Sequence, residues 1–457
     1  MQVPKEIFKA YDIRGVVGHT LTPAIVEAIG HALGSEARAR DQRTVVVGRD
    51  GRLSGPELSA ALARGIQAAG VDVVDIGLVA TPMVYFATFH LATGCGVMVT
   101  GSHNPPDYNG LKLMLSGEAL SGQAIQDLRT RIEDGRLTHG QGELTRQDIT
   151  DAYIERIAGD VKVARKLHVV IDCGNGAAGA VAPRLYRRLG CEVTELFCEV
   201  DGHFPNHHPD PSQPENLEAL IARLREGDAD IGLAFDGDGD RLGVVTRGGK
   251  IIFPDRQLML FAQDLLSRNP GASIIYDVKS TRNLAPWITR HGGRPLLWKT
   301  GHSLIKAKMK ETGALLAGEM SGHVFFKERW YGFDDGLYAG ARLLELLSHA
   351  QDIDAVLNGL PDAVCTPELQ IKLKEGENYA LIEELRRTAR FDDAREIITV
   401  DGLRVEYADG FGLMRPSNTT PVVVLRFEAD TEQALARIQG DFRKALLGAR
   451  AGLSLPF

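Results

Sequence analysis

The feature that most constrains this chain is a weak internal triplication, because a supersecondary unit used three times fixes the fold class before any single side chain is considered. Each copy opens with an apolar strand that runs through a polar or Gly-containing turn into a helix. The openings are Thr44-Val45-Val46-Val47-Gly48-Arg49-Asp50, His168-Val169-Val170-Ile171-Asp172-Cys173-Gly174 and Ser273-Ile274-Ile275-Tyr276-Asp277-Val278-Lys279. Each helix stops at a glycine (Gly70, Gly190, Gly292), which supplies the left-handed C-cap that other residues resist. A second apolar strand follows, and then a third that runs straight into an unusual polar loop. Val97–Thr100 leads into GSHNP, Ile231–Phe235 into DGDGDR, and Ala314–Ala317 into GEMSGH. Strands alternating with helices predict βαβ units and a largely parallel or mixed sheet. Ligands gather beyond the carboxyl ends of such strands, so three polar loops at equivalent ends predict one shared cleft.

From about Cys365 the pattern changes. Leu369, Ile371 and Leu373 alternate as a half-buried strand, and Tyr379 to about Arg390 reads as a helix. Ile397 to Tyr407 reads as a hairpin turning at Asp401-Gly402. The strand Val422 to Phe427 and a helix repeating Leu435, Ile438, Phe442 and Leu446 on one face follow. At 457 residues the chain exceeds one typical core and predicts roughly three to four domains. The expected fold is α/β: three similar mixed-sheet domains (1–148, 149–251, 252–364) and a smaller C-terminal α+β domain (365–457), around one central cleft. The segment Pro361–Pro367 before the last domain is placed to hinge.

The formal charge of −8 argues against a nucleic-acid or anionic-membrane surface, so an anionic ligand needs a local basic cluster. No stretch approaches the apolar length of a membrane span, and Met1 to Tyr11 does not read as a secretory signal. Five cysteines form no CxxC pair, and their number is odd; buried reduced thiols in a cytoplasmic protein are expected.

Asp236-Gly237-Asp238-Gly239-Asp240-Arg241 carries three carboxylates at alternate positions, with glycines that let the backbone fold until the oxygens converge on one hard cation. An EF-hand would need glycine and glutamate where Arg241 and Arg247 stand, so that option fails. A solvated acidic turn is disfavoured by direct entry from the buried strand. Mg²⁺ is favoured because three carboxylates leave positions for water and phosphate. Thr100-Gly101-Ser102-His103-Asn104-Pro105-Pro106 presents Ser102 on a stiffened loop, and Asn104 stands where a hydrolase elbow needs its second glycine. Alone, such a serine is more often a turn former. A metal loop in the neighbouring repeat makes it a candidate nucleophile, since a cation there neutralises phosphoryl-transfer charge.

Arg415-Pro416-Ser417-Asn418-Thr419-Thr420 joins a guanidinium to hydroxyl and amide donors, an inventory for gripping a phosphate dianion or, more blandly, a polar hairpin loop. Glu319 and Ser321 of the third loop can bind vicinal sugar hydroxyls, and His323 can act as acid or base. Lys279, His302, Lys112 and Arg14 are candidate cationic lining. Gly174-Asn175-Gly176-Ala177-Ala178-Gly179 satisfies the dinucleotide fingerprint, which keeps an NAD-dependent oxidoreductase as an alternative of another class.

With these loops in hand, the chain resembles the α-D-phosphohexomutase superfamily, and within it the bacterial phosphomannomutase/phosphoglucomutase group. The resemblance runs from Phe8-Lys9-Ala10-Tyr11-Asp12-Ile13-Arg14-Gly15 to the last helix and includes TGSHNP, DGDGDR, GEMSGH and RPSNTTP in the family's order. It implies a phosphoserine at Ser102, Mg²⁺ held by Ser102, Asp236, Asp238 and Asp240, and sugar hydroxyls held by Glu319 and Ser321. It also implies a phosphate held by Arg415, Ser417, Asn418 and Thr419, and a site lined by Tyr11, Arg14, His103, Lys112, Arg241, Lys279, His302 and His323. The implied reaction interconverts the 1- and 6-phosphates of mannose or glucose through a 1,6-bisphosphate that reorients in the cleft, with glucose 1,6-bisphosphate as activator. The implied partners are phosphosugars only, and the implied state is a monomer. A phosphoglucosamine mutase is the near alternative, but Met320 and Asn418-Thr419-Thr420 point away from it.

Overall fold

The computed structural model describes residues 1–418 and 420–457. The triplication is visible as one strand arrangement built three times. In each copy a central strand (Thr44–Arg49, His168–Asp172, Ser273–Asp277) lies between two parallel neighbours. The outer neighbours are Asp72–Leu78, Glu192–Leu196 and Arg294–Trp298. The inner ones are Gly96–Val99, Ile231–Phe235 and Leu316–Gly318, and each of these turns through its polar loop into an antiparallel strand. Those antiparallel partners are Tyr108–Leu115, Leu242–Thr246 and Val324–Phe326. The sheets are therefore mixed, and the three loops occupy equivalent corners. The three glycines that stop the first helix of each copy all have positive φ (Gly70 +79°, Gly190 +89°, Gly292 +81°), as left-handed caps require.

Burial explains the sequence texture. Ile231–Phe235 is buried at every position, because helices cover both faces of its sheet. In Thr44–Arg49 the faces divide: Val45 and Val47 pack with the helices Pro23–Ala39 and Gly55–Ala68, while Val46 joins a second core. That second core is continuous through the first three lobes, from Val46, Phe86 and Met98 through Leu185, Leu233 and Phe235 to Phe261, Phe326 and Leu344.

The fourth sheet is antiparallel, with the order Val364–Cys365, Val422–Ala429, Gly410–Pro416, Leu403–Glu406, Glu396–Ile398; Leu369–Lys372 also pairs with Val422–Ala429. It carries its own core, with Phe427, Ile438 and Phe442 at its centre. Its contact with the third lobe combines a small apolar cluster (Val278 with Phe411 and Leu413) with polar ties. Arg404 donates to the carbonyls of Val278 and Ser280, and Thr281 donates to Glu428 at 2.7 Å. Among the described residues, no helix is long and apolar enough to cross a membrane.

Candidate active site

The four polar loops line one cavity of about 610 Å³. Tyr11, Arg14, Ser102, His103 and Lys112 face it from the first lobe, and Arg241 from the second. Lys279, His302, Glu319, Ser321 and His323 face it from the third, and Arg415, Ser417 and Asn418 from the fourth. Asp236, Asp238 and Asp240 lie fully buried in its wall. Thr419 lies outside the described residues.

Ser102 and the acidic turn meet directly. Ser102 Oγ donates to Asp236 Oδ2 at 2.9 Å and lies 3.1 Å from His103 Nδ1. Gly237 permits this approach, since a Cβ there would stand 2.3 Å from the Ser102 carbonyl oxygen. Oxygens of Asp236, Asp238 and Asp240 lie within 4.8 Å of one another. Asp238 Oδ1 and Asp240 Oδ1 are buried without a hydrogen-bond partner, which suits waiting ligand atoms for a hard divalent cation. Lys112 Nζ already bridges two of the carboxylates, donating to Asp238 Oδ2 at 2.8 Å and to Asp240 Oδ2.

These charges set one another. Burial, then the neighbouring carboxylates, pushes Asp236 well above the usual carboxylate range. Asp240 is raised by burial and Asp238. Burial acts upward on Asp238 too, but Lys112 and Thr81 overrule it, so its carboxyl sits well below the usual range. Burial opposes the charge on Lys112, yet Asp238 and Asp240 hold its ammonium far above its ordinary value. His103 is pushed well below a normal imidazole, first by burial and then by Arg241 and Arg14, so it stands neutral beside Ser102.

In the third lobe's polar loop, Glu319 Oε1 accepts from Gly301 N at 2.6 Å, while Oε2 is buried without a partner. Ser321 is half-buried beside it. His323 Nε2 accepts from Arg241 Nε at 3.1 Å, which places the ring proton on Nδ1, 3.0 Å from Asp334 Oδ2. His302 is driven well below its ordinary value by burial and then Lys306, and its ring lies edge-on to Tyr11 at 5.1 Å. Burial pushes the Tyr11 phenol up to about 12. Arg14 is tied to Asn104 and Asp12, each at 2.5 Å.

Opposite Ser102, Arg415 Nε is anchored on Asp401 Oδ2 at 2.9 Å, and its Nη2 is buried without a partner. Ser417 Oγ accepts from Thr420, and Asn418 Nδ2 reaches the Thr300 carbonyl at 3.3 Å, joining the third and fourth lobes. Lys279 pairs with Glu368 at 3.0 Å across the same seam.

Several residues of this wall escape the sequence. Thr81 donates to Asp238 at 2.5 Å, Asp334 accepts from Lys306 at 2.8 Å and lies 3.0 Å from His323, and Asp401 orients Arg415. Thr81 meets a partner 157 positions away, and only the fold shows that Asp334, and Asp401 of the hairpin turn, face side chains of the polar loops. The GxGxxG turn serves a different purpose from nucleotide binding. Gly176 packs on the Gly237 carbonyl and Gly179 on that of Cys198, with room for no Cβ at either, so the turn buttresses the acidic loop.

This fold and cleft are those of an α-D-phosphohexomutase. Four family models match in order: phosphoglucomutase/phosphomannomutase alpha/beta/alpha domains I (residues 5–139), II (151–249) and III (253–364), and the C-terminal domain (368–445). The chain is 61% identical to a phosphoglucomutase of Neisseria gonorrhoeae, over 97% of each chain. It is 57% identical to a phosphomannomutase/phosphoglucomutase of Pseudomonas aeruginosa, over 100% of this chain and 98% of the other. A crystal structure of a phosphoglucomutase/phosphomannomutase family protein from Burkholderia thailandensis superposes with a TM-score of 0.95 at 61% identity, covering both chains completely. The chain belongs to the phosphoglucomutase/phosphomannomutase family.

Proposed function

We propose that this chain interconverts the 1- and 6-phosphates of glucose and mannose through a phosphorylated Ser102. One observation carries the reading: Ser102 Oγ lies 2.9 Å from Asp236 Oδ2, so a nucleophile from one lobe and a carboxylate cage from another share one spot in a four-walled cleft. Asp236, Asp238, Asp240 and Ser102 Oγ would hold Mg²⁺, which supplies neutralisation of charge on the transferring phosphoryl group.

The residues of the chain divide the remaining work. Arg415, Ser417, Asn418 and Thr419 hold the phosphate that is not transferred, with the unpartnered Nη2 of Arg415 available to it. Glu319 Oε2 and Ser321 take the 3- and 4-hydroxyls. The phosphoseryl P–O bond breaks as a bond forms from phosphorus to the free sugar oxygen, and Ser102 Oγ leaves with the electron pair. The hydroxyl proton passes to His323 Nε2 when Arg241 releases it, and Ser102 Oγ is reprotonated as His323 gives that proton up. Arg14, Lys112, Arg241, Lys279, His103, His302 and Tyr11 keep the cleft attractive to a bisphosphate, so the intermediate turns and returns its other phosphoryl to Ser102. The contacts avoid carbon 2, where mannose and glucose differ, so both sugars are accepted. GEMSGH and the Asn418-Thr419-Thr420 loop set the chain apart from phosphoglucosamine mutases. Five free cysteines suit a cytoplasmic protein, which we take to be a monomer activated by glucose 1,6-bisphosphate.

A coupled assay with mannose, glucose and glucosamine 1-phosphates, with and without Mg²⁺ and bisphosphate, tests the reading. The first two sugars should turn over, chelation should stop them, and phosphate should be found on the Ser102 peptide. Turnover of neither, or full turnover by Ser102→Ala, would remove it.

A further inference from the structure

We propose that Arg52, which lies in none of the four polar loops, is a positioning residue that holds Ser102 in its reactive stance through the main chain. The inference rests on Ser102 being the nucleophile. Ser102 has φ +49°, a left-handed conformation that an L residue with a side chain adopts at a cost of about 1–2 kcal/mol. Such a conformation persists only where its surroundings over-determine it. Arg52 provides that constraint. Its side chain is completely buried, and its Nη2 donates to the carbonyls of Ser102 (2.8 Å) and Asn104 (2.5 Å). Its Nη1 donates to those of Pro105 (2.5 Å) and Tyr108 (2.8 Å). Four of five guanidinium N–H groups are thus used on one seven-residue loop.

The rest of the clamp is built around the same turn. Asp50, 3.4 Å from Arg52 Nε, accepts from Thr100 Oγ1 at 2.8 Å and Gly101 N at 3.1 Å, and Thr100 Oγ1 in turn accepts from Ser102 N at 2.8 Å. Phe204 of the second lobe covers the guanidinium at 5.3 Å. The Ser102 carbonyl is therefore fixed between Arg52 on one side and Gly237 on the other, and this sets where Oγ stands relative to Asp236. Arg52 touches neither Oγ nor any group proposed to meet the sugar. A planar fork is required: a lysine ammonium carries only three donors on one atom and cannot span carbonyls spread from Ser102 to Tyr108.

The test is Arg52→Lys, read by rapid quench with ³²P-labelled phosphoenzyme. The rate constant for phosphoryl transfer to glucose 1-phosphate should fall at least tenfold, with KM within twofold of wild type. A purely structural role would lower the amplitude, the fraction of folded enzyme, and leave the rate constant untouched; that result overturns the proposal. Should Arg52→Lys not fold, Phe204→Leu takes its place. It leaves every hydrogen bond and should slow transfer two- to fivefold; an unchanged rate constant is again fatal. Wild-type label on a residue other than Ser102 would instead refute the nucleophile assignment, so the two failures are distinct.

Discussion

Adding one methyl group at Gly237 should silence the enzyme while leaving its substrate grip intact. The φ of Gly237 is not positive, so alanine escapes the left-handed penalty there, and the main perturbation is steric. The new Cβ would stand 2.3 Å from the Ser102 carbonyl oxygen and 3.2 Å from its carbon, about 1 Å inside ordinary contact with the oxygen. Both atoms are backbone, and the Pro209 ring lies 3.3 Å away on the second-lobe side, so no flexible side chain absorbs the strain. The two loops must separate by about an ångström, which opens the 2.9 Å contact between Ser102 Oγ and Asp236. A misplacement of that size costs about 10²-fold in a positioned reaction, and overpacking a close contact costs about 1–3 kcal/mol of stability. In a coupled glucose 1-phosphate assay, kcat should therefore fall about a hundredfold, with KM within threefold and a small drop in Tm. Gly237→Ala with wild-type kcat would show that the seryl and acidic loops need no such register.

Arg415→Lys should raise KM about tenfold or more with kcat less affected, because the free Nη2 is lost while a charge remains; steady-state kinetics on both sugars check it. His207 gives a pH signature away from the cleft. Its Nδ1 faces the His208 carbonyl at 2.9 Å and its Nε2 faces Asp172 at 3.0 Å, so both nitrogens carry protons. Burial pulls this imidazole down, but Asp172 more than offsets it and leaves it above the ordinary value of 6.5. The pair's contribution to stability is whole below that value and is lost as pH rises through the higher folded one. Tm should fall between pH 6 and 8.5 by more in wild type than in His207→Gln.

The repeat was legible because strand periodicity, helix-stopping glycines and polar loops recur in register, and the structure returns the same strand order three times. The residue types of the four loops led to the cleft for the same reason: their chemistry is local. What the sequence hides is contact across distance. Lys112 meets Asp238 and Asp240 across more than 120 positions, and Arg52 reaches a loop 50 residues on. Neither sits in a spacing that a helix or strand period could reveal. Asp334 looks like a helix-start residue beside the true N-cap Asp335, and only the fold turns it toward His323. The GxGxxG turn misleads in the opposite sense, since glycines that admit a pyrophosphate also admit a neighbouring loop.

The apolar core shared by the first three lobes, beside which each keeps a smaller one of its own, has a cost and a benefit. A cavity opened in the shared core, beneath Met98, Leu233 or Leu316, is felt by all three strands, so the polar loops that follow them keep or lose their alignment together. The fourth lobe has its own greasy centre and meets the third through hydrogen bonds and a small apolar cluster, so its interior packs separately from the three loops while its edge stays tied to the third lobe.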